Sequence, residues 1–432
     1  MSDDRPRLRW ETTLPDGRLA SLLARPNALN LLLDGEQPSF TFDPLGRLHG
    51  AFYEGRNYRR SLDNRVLAKW TASEDGQKRR QRRWLRQDEA RRLVQVAHEL
   101  VCQMAAAAGA APPAVQAALA SLARWDWDGL ERDRQRFQQI YTPVGILPPD
   151  QYLALVLQAT HGCSHNACTF CTFYQGTPFR IKTPEQFRQH MADVLDFFGP
   201  AAAMRQSIFL ADANALVAPM PRLLALLKVV RDWSRGAEGG AHAGAAGRRS
   251  EDAAAPAASM TAPGDLPLFA FIDAFHVERK SVADWQELRA HGLARVYIGM
   301  ESGHDPLLRW LNKPGDAADV LDATTTLKAA GLQASVIILL GAGGDRYAHG
   351  HVRDTVALLN AMPLGRGDLI YFSDFVVHAD APYAALAAAA GIEPRPPAAL
   401  RAQELAIRAA FVAQDAQQPP QFARYDIGEF VY

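Results

Sequence analysis

The chain has 432 residues, 48% of them hydrophobic, and its 47 basic side chains are balanced by 47 acidic ones. That length suits two or three domains with a large core, and the even charge excludes a bulk field that would draw the whole molecule to nucleic acid or to a membrane surface. Four cysteines are too few for a disulfide framework, no run approaches the roughly 18 apolar residues of a membrane span, and MSDDRPRLRWETTLPDG lacks the apolar core of a secretion signal, so a cytoplasmic location is expected.

Residues 1 to about 70 alternate short apolar runs with turn residues, as in SLLARPNALNLLLDGEQPSFTFDPLGRLHGAFYEG, which predicts small strands and hairpins. A polar run from Gln77 leads into DEARRLVQVAHELVCQMAAAA, where Leu93, Val94, Ala97, Leu100, Val101 and Met104 recur at helical spacing. Cys102, beside that stripe, is read as a buried, inert thiol. The basic run 78–92 sets Lys78, Arg79, Arg80, Arg82, Arg83, Arg86, Arg91 and Arg92 against Asp88 and Glu89. With only Trp84 among them for stacking, it is read as a solvated helix face rather than a phosphate-binding patch. Residues 1–140 are thus expected to form a mixed α+β N-terminal region.

The pattern changes near Tyr152. YLALVLQAT is an apolar run of strand length, and TPEQFRQHMADVLDFF follows with Thr183 as N-cap, Pro184 at the first helical position and Gln186 closing a capping box. The same strand-then-helix alternation recurs through SIFLADA, LFAFIDAF, RVYIGME, ASVIILLG and LIYFSDFVV. Six strands apolar on both faces and separated by amphipathic helices predict an α/β fold, a partial (β/α)6 barrel of parallel strands over residues 150–380. The Ala/Gly/Pro-rich stretch 235–265 lacks the apolar anchors to repay its ordering and is expected to be a flexible insertion away from the chemistry. Residues 381–432 are expected to form a helical C-terminal extension.

HGCSHNACTFCTFYQG places Cys163, Cys168 and Cys171 directly after the first strand of this region, where parallel βα folds gather function. Disulfides take thiols in pairs and a closed zinc site takes four ligands, so a trio is either short of a partner or deliberately incomplete. Three thiolates on a cubane iron–sulfur cluster leave one iron open.

These residues resemble the radical S-adenosylmethionine (radical SAM) superfamily, in the branch of the Elongator catalytic subunit, methylthiotransferases and oxygen-independent coproporphyrinogen oxidases. The Cys-x4-Cys-x2-Cys spacing has a first gap one residue longer than usual. The resemblance implies that Cys163, Cys168 and Cys171 bind a [4Fe–4S] cluster and that Phe170 lies against the adenine of SAM. FLADANAL occupies the place of a Gly-Gly-Glu motif but lacks its glycines, so Asp212 is expected to reach the SAM amino group and Asn214 to add a polar contact. VYIGMESGHDPLLRWLNKP would make Glu301 a ribose or amino contact, and in IILLGAGGD the residues Gly341, Gly343 and Gly344 would pass the adenine. The implied reaction is reductive cleavage of SAM to a 5′-deoxyadenosyl radical acting on an unidentified substrate, with the electron from a flavodoxin- or ferredoxin-like donor. The alternative is a zinc-stabilised nucleic-acid-binding protein, with His161 or His165 completing a Cys3His site. Asp273, His276, Asp374 and His378 fall near strand ends and are further substrate-side candidates.

Overall fold

The computed structural model describes residues 8–34, 37–74, 77–238 and 265–432. Residues 239–264, most of the expected insertion, lie outside the described residues.

The N-terminal region is an antiparallel meander of eight strands, each paired with the next: β1 (Leu8–Thr13), β2 (Leu19–Arg25), β3 (Ala28–Leu33), β4 (Ser39–Phe42), β5 (Leu48–Tyr53), β6 (Arg56–Arg60), β7 (Val66–Glu74) and β8 (Gln77–Trp84). Register decides which face is buried. Leu22 sits opposite Leu31, Leu31 opposite Phe40 and Phe40 opposite Ala51, so one apolar row crosses four strands. Helices α1 (Gln87–Ala107), α2 (Pro113–Ala123) and α3 (Trp127–Ile140) contribute to the same core. The six α1 residues expected at helical spacing are all buried.

Two readings of this region are corrected. Cys102 is exposed, on the flank of α1 rather than on its stripe, with Sγ 3.8 Å from His98 Nδ1. The first part of the basic run is β8, an edge strand, and the helix begins only at Gln87. A row of cations suits an edge, because charge there discourages pairing with a second chain.

From residue 154 the chain builds an open barrel. Its strands β9 (Ala154–Gln158), β12 (Ser207–Ala211), β13 (Leu268–Ile272), β14 (Leu293–Glu301), β15 (Gln333–Leu340), β16 (Leu369–Asp374) and β17 (Gln421–Arg424) lie side by side in that order, all parallel. Two short strands, β10 (Thr160–His161) and β11 (Arg180–Ile181), pair antiparallel. The helices are α4 (Pro184–Phe198), α5 (Met220–Glu238), α6 (Val282–Ala290), α7 (Asp305–Trp310), α8 (Ala317–Ala329), α9 (Gly344–Ala361), α10 (Pro382–Ala389) and α11 (Pro397–Ala410). α4 begins with the expected Thr183 and Gln186 capping box. The six expected strands are joined by a seventh, β17, from the part expected to be a helical extension. No helix among the described residues is long and apolar enough to cross a membrane.

Alternation along β14 puts Arg295, Tyr297, Gly299 and Glu301 on one face. At the lower end of that face Asp150 accepts from Arg295 (2.6 Å), Tyr297 (2.5 Å) and Tyr371 (2.7 Å). Glu301 stands at the upper end, the mouth, where the strands finish. The N-terminal region is bolted on through buried Arg47, which pairs with Asp43 at 2.7 Å and Asp133 at 3.2 Å and lies 4.8 Å from the ring centre of Phe197 in α4. The C-terminal segment returns to β9, where Tyr432 Oη accepts from the Val156 N–H at 3.0 Å.

Candidate functional site

The cysteine loop starts where β9 ends. β10 and β11 tie its two arms together, and Gly162, at φ +72°, lets them close, since a Cβ there would stand 2.8 Å from the Thr177 carbonyl oxygen. Asp212, just past β12, braces this neck. Its Oδ2 accepts from the Gly162 N–H at 3.3 Å, its Oδ1 from Gln158 Nε2 at 3.1 Å, and its own N–H donates to Thr160 Oγ1 at 3.0 Å. Burial pushes the Asp212 pKa up to about 6.

The far half of the loop is clamped to the end of α7. Asn312, at φ +50°, donates from Nδ2 to the Ala167 carbonyl at 2.7 Å, while His165 Nε2 lies 2.8 Å from the Asn312 carbonyl. Thr169 N–H donates to the Leu311 carbonyl (2.9 Å), and Tyr383 N–H to the Thr169 carbonyl (2.9 Å). Between neck and clamp, Cys163, Cys168 and Cys171 are free, partly buried thiols. Burial raises all three pKa values, that of Cys168 to about 12.

Beneath the loop lies a buried polar chain drawn from successive strand ends. Asn214, after β12, donates to Ser164 Oγ at 2.9 Å and to Asp273 Oδ2, and accepts from the Asp273 N–H at 2.8 Å. Asp273, after β13, meets Lys313 Nζ at 3.3 Å, and Lys313 meets Glu301 Oε1 at 3.1 Å. Glu301 holds φ +60° beside a register shift between β14 and β15. Few non-glycine residues keep such a backbone without an imposed reason, and the bulge turns the carboxylate into the mouth. Burial opposes charge on Lys313, but Glu301 and Asp273 outweigh it and hold the ammonium well above the ordinary lysine pKa. Burial raises Glu301, whereas Asp273 overcomes burial through Lys313 and Asn214 and is lowered. Two carboxylates therefore share one ammonium.

The structure brings Cys163, Cys168, Cys171, Asp212, Asn214, Asp273 and Glu301 to one mouth. Phe170 is half-buried beside them, edge-on to Phe375 at 6.2 Å. His276 is buried near Asp273, its Nδ1 without a partner. Asp374 pairs with Arg424 at 2.5 Å, and His378 lies in the turn before α10. The space that Cβ atoms of Gly341, Gly343 and Gly344 would need is taken by protein: Leu400, then Leu307 and Tyr347, then Ile392 and Glu393. The sequence reading missed Lys313 and Asn312, the two adjacent residues after α7 that hold the charge chain and the loop. Their only signal was position, inside the LNKP end of a segment noted for Glu301. Among the described residues, no group of three or more His, Cys, Asp or Glu side chains is arranged to hold one metal ion.

The open parallel barrel thus carries three free thiols on its first βα loop. Residues 157–349 match the family model described as the radical SAM superfamily. That stretch is similar to the radical SAM superfamily. No curated protein matches the sequence. Similar solved structures include the cobalamin-dependent S-adenosylmethionine radical enzyme OxsB with aqua-cobalamin and S-adenosylmethionine bound (15% identity, TM-score 0.36, 67% of this chain and 32% of that one). Others are Elp3 of Methanocaldococcus infernus (11%, 0.37, 63% and 57%) and coproporphyrinogen III oxidase HemN of Escherichia coli (15%, 0.37, 64% and 54%). The chain thus spans about a third of OxsB's length and somewhat over half of the other two.

Proposed function

We propose that Cys163, Cys168 and Cys171 would hold a [4Fe–4S] cluster with one iron left open to SAM, and that SAM is cleaved reductively in this mouth. The observation that carries the reading is three half-buried thiols held over a buried site in which two carboxylates face one ammonium. Buried thiols with raised pKa become thiolates only beside strong positive charge, which irons supply. The spare negative charge below them suits a ligand bearing a sulfonium.

When bound, such a cluster would supply one low-potential electron, received from a flavodoxin- or ferredoxin-like donor, for the reductive cleavage of SAM to methionine and a 5′-deoxyadenosyl group that would act on an unidentified substrate. The chain's own part is placement. Glu301 accepts a hydrogen bond from the ligand's amino group, Lys313 balances the Glu301 carboxylate, and Asn214 and Asp273 keep Lys313 in line. Phe170, between the thiols and Phe375, offers a ring to the adenine. Asp212 is engaged by both oxygens with the neck of the loop, so its share is to hold the loop that carries Cys163. The clamp at Asn312 fixes Cys168 through Ala167.

The test is anaerobic incubation of reconstituted protein with SAM and dithionite. The expected product is 5′-deoxyadenosine, and Cys163→Ala, Cys168→Ala and Cys171→Ala are each expected to lose the cluster iron. A variant that keeps its full iron removes that residue from the ligand set. Failure of iron-replete protein to release 5′-deoxyadenosine refutes the cleavage.

A further inference from the structure

Far from the mouth, where β6, the floor of the barrel and the C-terminal segment meet, positive charge exceeds negative. A cavity of about 30 Å3 lies there, lined by His49, Arg59, Arg60, Tyr152, Arg205 and Tyr432 among others. The guanidinium groups of Arg59, Arg60 and Arg205 line it, Arg47 lies beside Arg60, and the carboxylates that act on these cations among the described residues are Asp43, Asp133 and, on Arg60, Asp63. Asp43 and Asp133 both pair with Arg47: Asp43 Oδ2 accepts its Nε at 2.7 Å and Asp133 its NH1 at 3.2 Å. Asp43 Oδ1, although the residue lines the cavity, is taken by the N–H groups of Leu45 (2.9 Å) and Arg47 (3.0 Å).

Arg60 feels Asp133, Asp43 and Asp63 but hydrogen-bonds only to neutral groups, whereas among the described residues Arg59 and Arg205 have no carboxylate partner. Arg60 donates to the carbonyls of Leu48 (2.6 Å) and Ser61 (2.9 Å) and to Asn64 Oδ1 (2.7 Å). Arg205 reaches the Ala154 carbonyl at 3.3 Å and lies over the rings of Phe198 and Tyr432, with its Nε lacking an acceptor. Arg59 Nε is buried with none. Burial and then Arg205 depress the Arg59 pKa, and burial followed by Arg59 and Arg205 draws His49 down to about 4. Like charges confined beside apolar side chains repel unless a counter-charge sits between them.

We propose that this cavity binds one chloride-sized halide ion between Arg59 and Arg205, joining the N-terminal sheet to the barrel floor and the C-terminal segment. Water has the size for the space but brings no charge. Three parts of the chain that are far apart in sequence converge on the ion: β6, the turn before β12, and Tyr432, whose carbonyl also accepts from the Leu62 N–H at 2.8 Å.

The test pairs bromide with a stability measurement. Crystals of the full chain soaked in bromide are expected to show an anomalous peak between Arg59 and Arg205. Exchanging gluconate for chloride at constant ionic strength, which holds general screening fixed, is expected to raise Tm saturably in the native protein and not in Arg59→Gln. No anomalous peak in the cavity, or the same chloride response in Arg59→Gln as in the native chain, overturns the proposal. Should Arg59→Gln fail to fold, the bromide peak in the native protein decides alone.

Discussion

Glu301 is where backbone and charge are both set for one task. A left-handed φ and a bulge are unfavourable for a plain strand residue, and they leave the side chain buried and paired with the Lys313 ammonium. Glu301→Gln removes the spare negative charge while preserving shape. The expected result is at least about tenfold weaker SAM binding by calorimetry, equivalent to about 1.4 kcal/mol, with iron content unchanged. Equal affinity would remove Glu301 from the ligand site. A second residue-scale prediction concerns pH. His190 Nε2 accepts the Gln158 N–H at 3.0 Å and His351 Nδ1 pairs with Ser302 Oγ at 2.7 Å. Burial holds their pKa values down, near 3 and 4. In the unfolded chain both take up protons below about 6.5, whereas the folded chain refuses them. Stability is therefore full above about 6.5 and falls as pH drops toward the folded values. At pH about 5 each histidine should cost about 2 kcal/mol, read from urea unfolding against pH. His190→Gln should flatten that slope, and an unaltered slope would clear His190.

Among the elements, the cysteine loop depends on supports outside itself, the neck at Asp212 and the clamp at Asn312. Asn312→Ala deletes the hydrogen bond to Ala167 and puts a less tolerant residue at positive φ. Iron should pass to a chelator several-fold faster than from the native protein, with far-UV circular dichroism unchanged; native-like retention would show that the clamp is dispensable. How far such elements could be read from sequence depended on burial. The strands β9, β12, β13, β14, β15 and β16 announce themselves because both faces are apolar, and α4 because its capping residues are local. β17 escaped notice: Gln421–Arg424 is an edge strand with no residue fully buried, so QFAR carries no apolar run. β8 was read as helix because a strand made of cations lacks the alternation that marks one. The thiols and Glu301 were visible as motif residues. Lys313 was not, since a single lysine gains meaning only once folding sets it between carboxylates on two other elements.

At the scale of the whole molecule, Arg47 links the N-terminal sheet to the barrel. It gives both carboxylates their partner while stacking on a barrel aromatic. Arg47→Met keeps the bulk but strands Asp43 and Asp133 in a buried site, so unfolding should become easier by about 3–5 kcal/mol. A loss below about 1 kcal/mol, within the range of ordinary surface pairs, would show that water reaches the carboxylates. The open edge of the barrel has a further consequence. β16 meets its last neighbour only through residues 421–424, and β9 meets Tyr432 from 276 positions earlier. During synthesis, then, the meander can condense from contacts between adjacent hairpins while the barrel still shows a bare flank. A ribosome stalled short of residue 421 would expose a strand ready to accept the wrong chain, and this is the stage at which a chaperone would matter most.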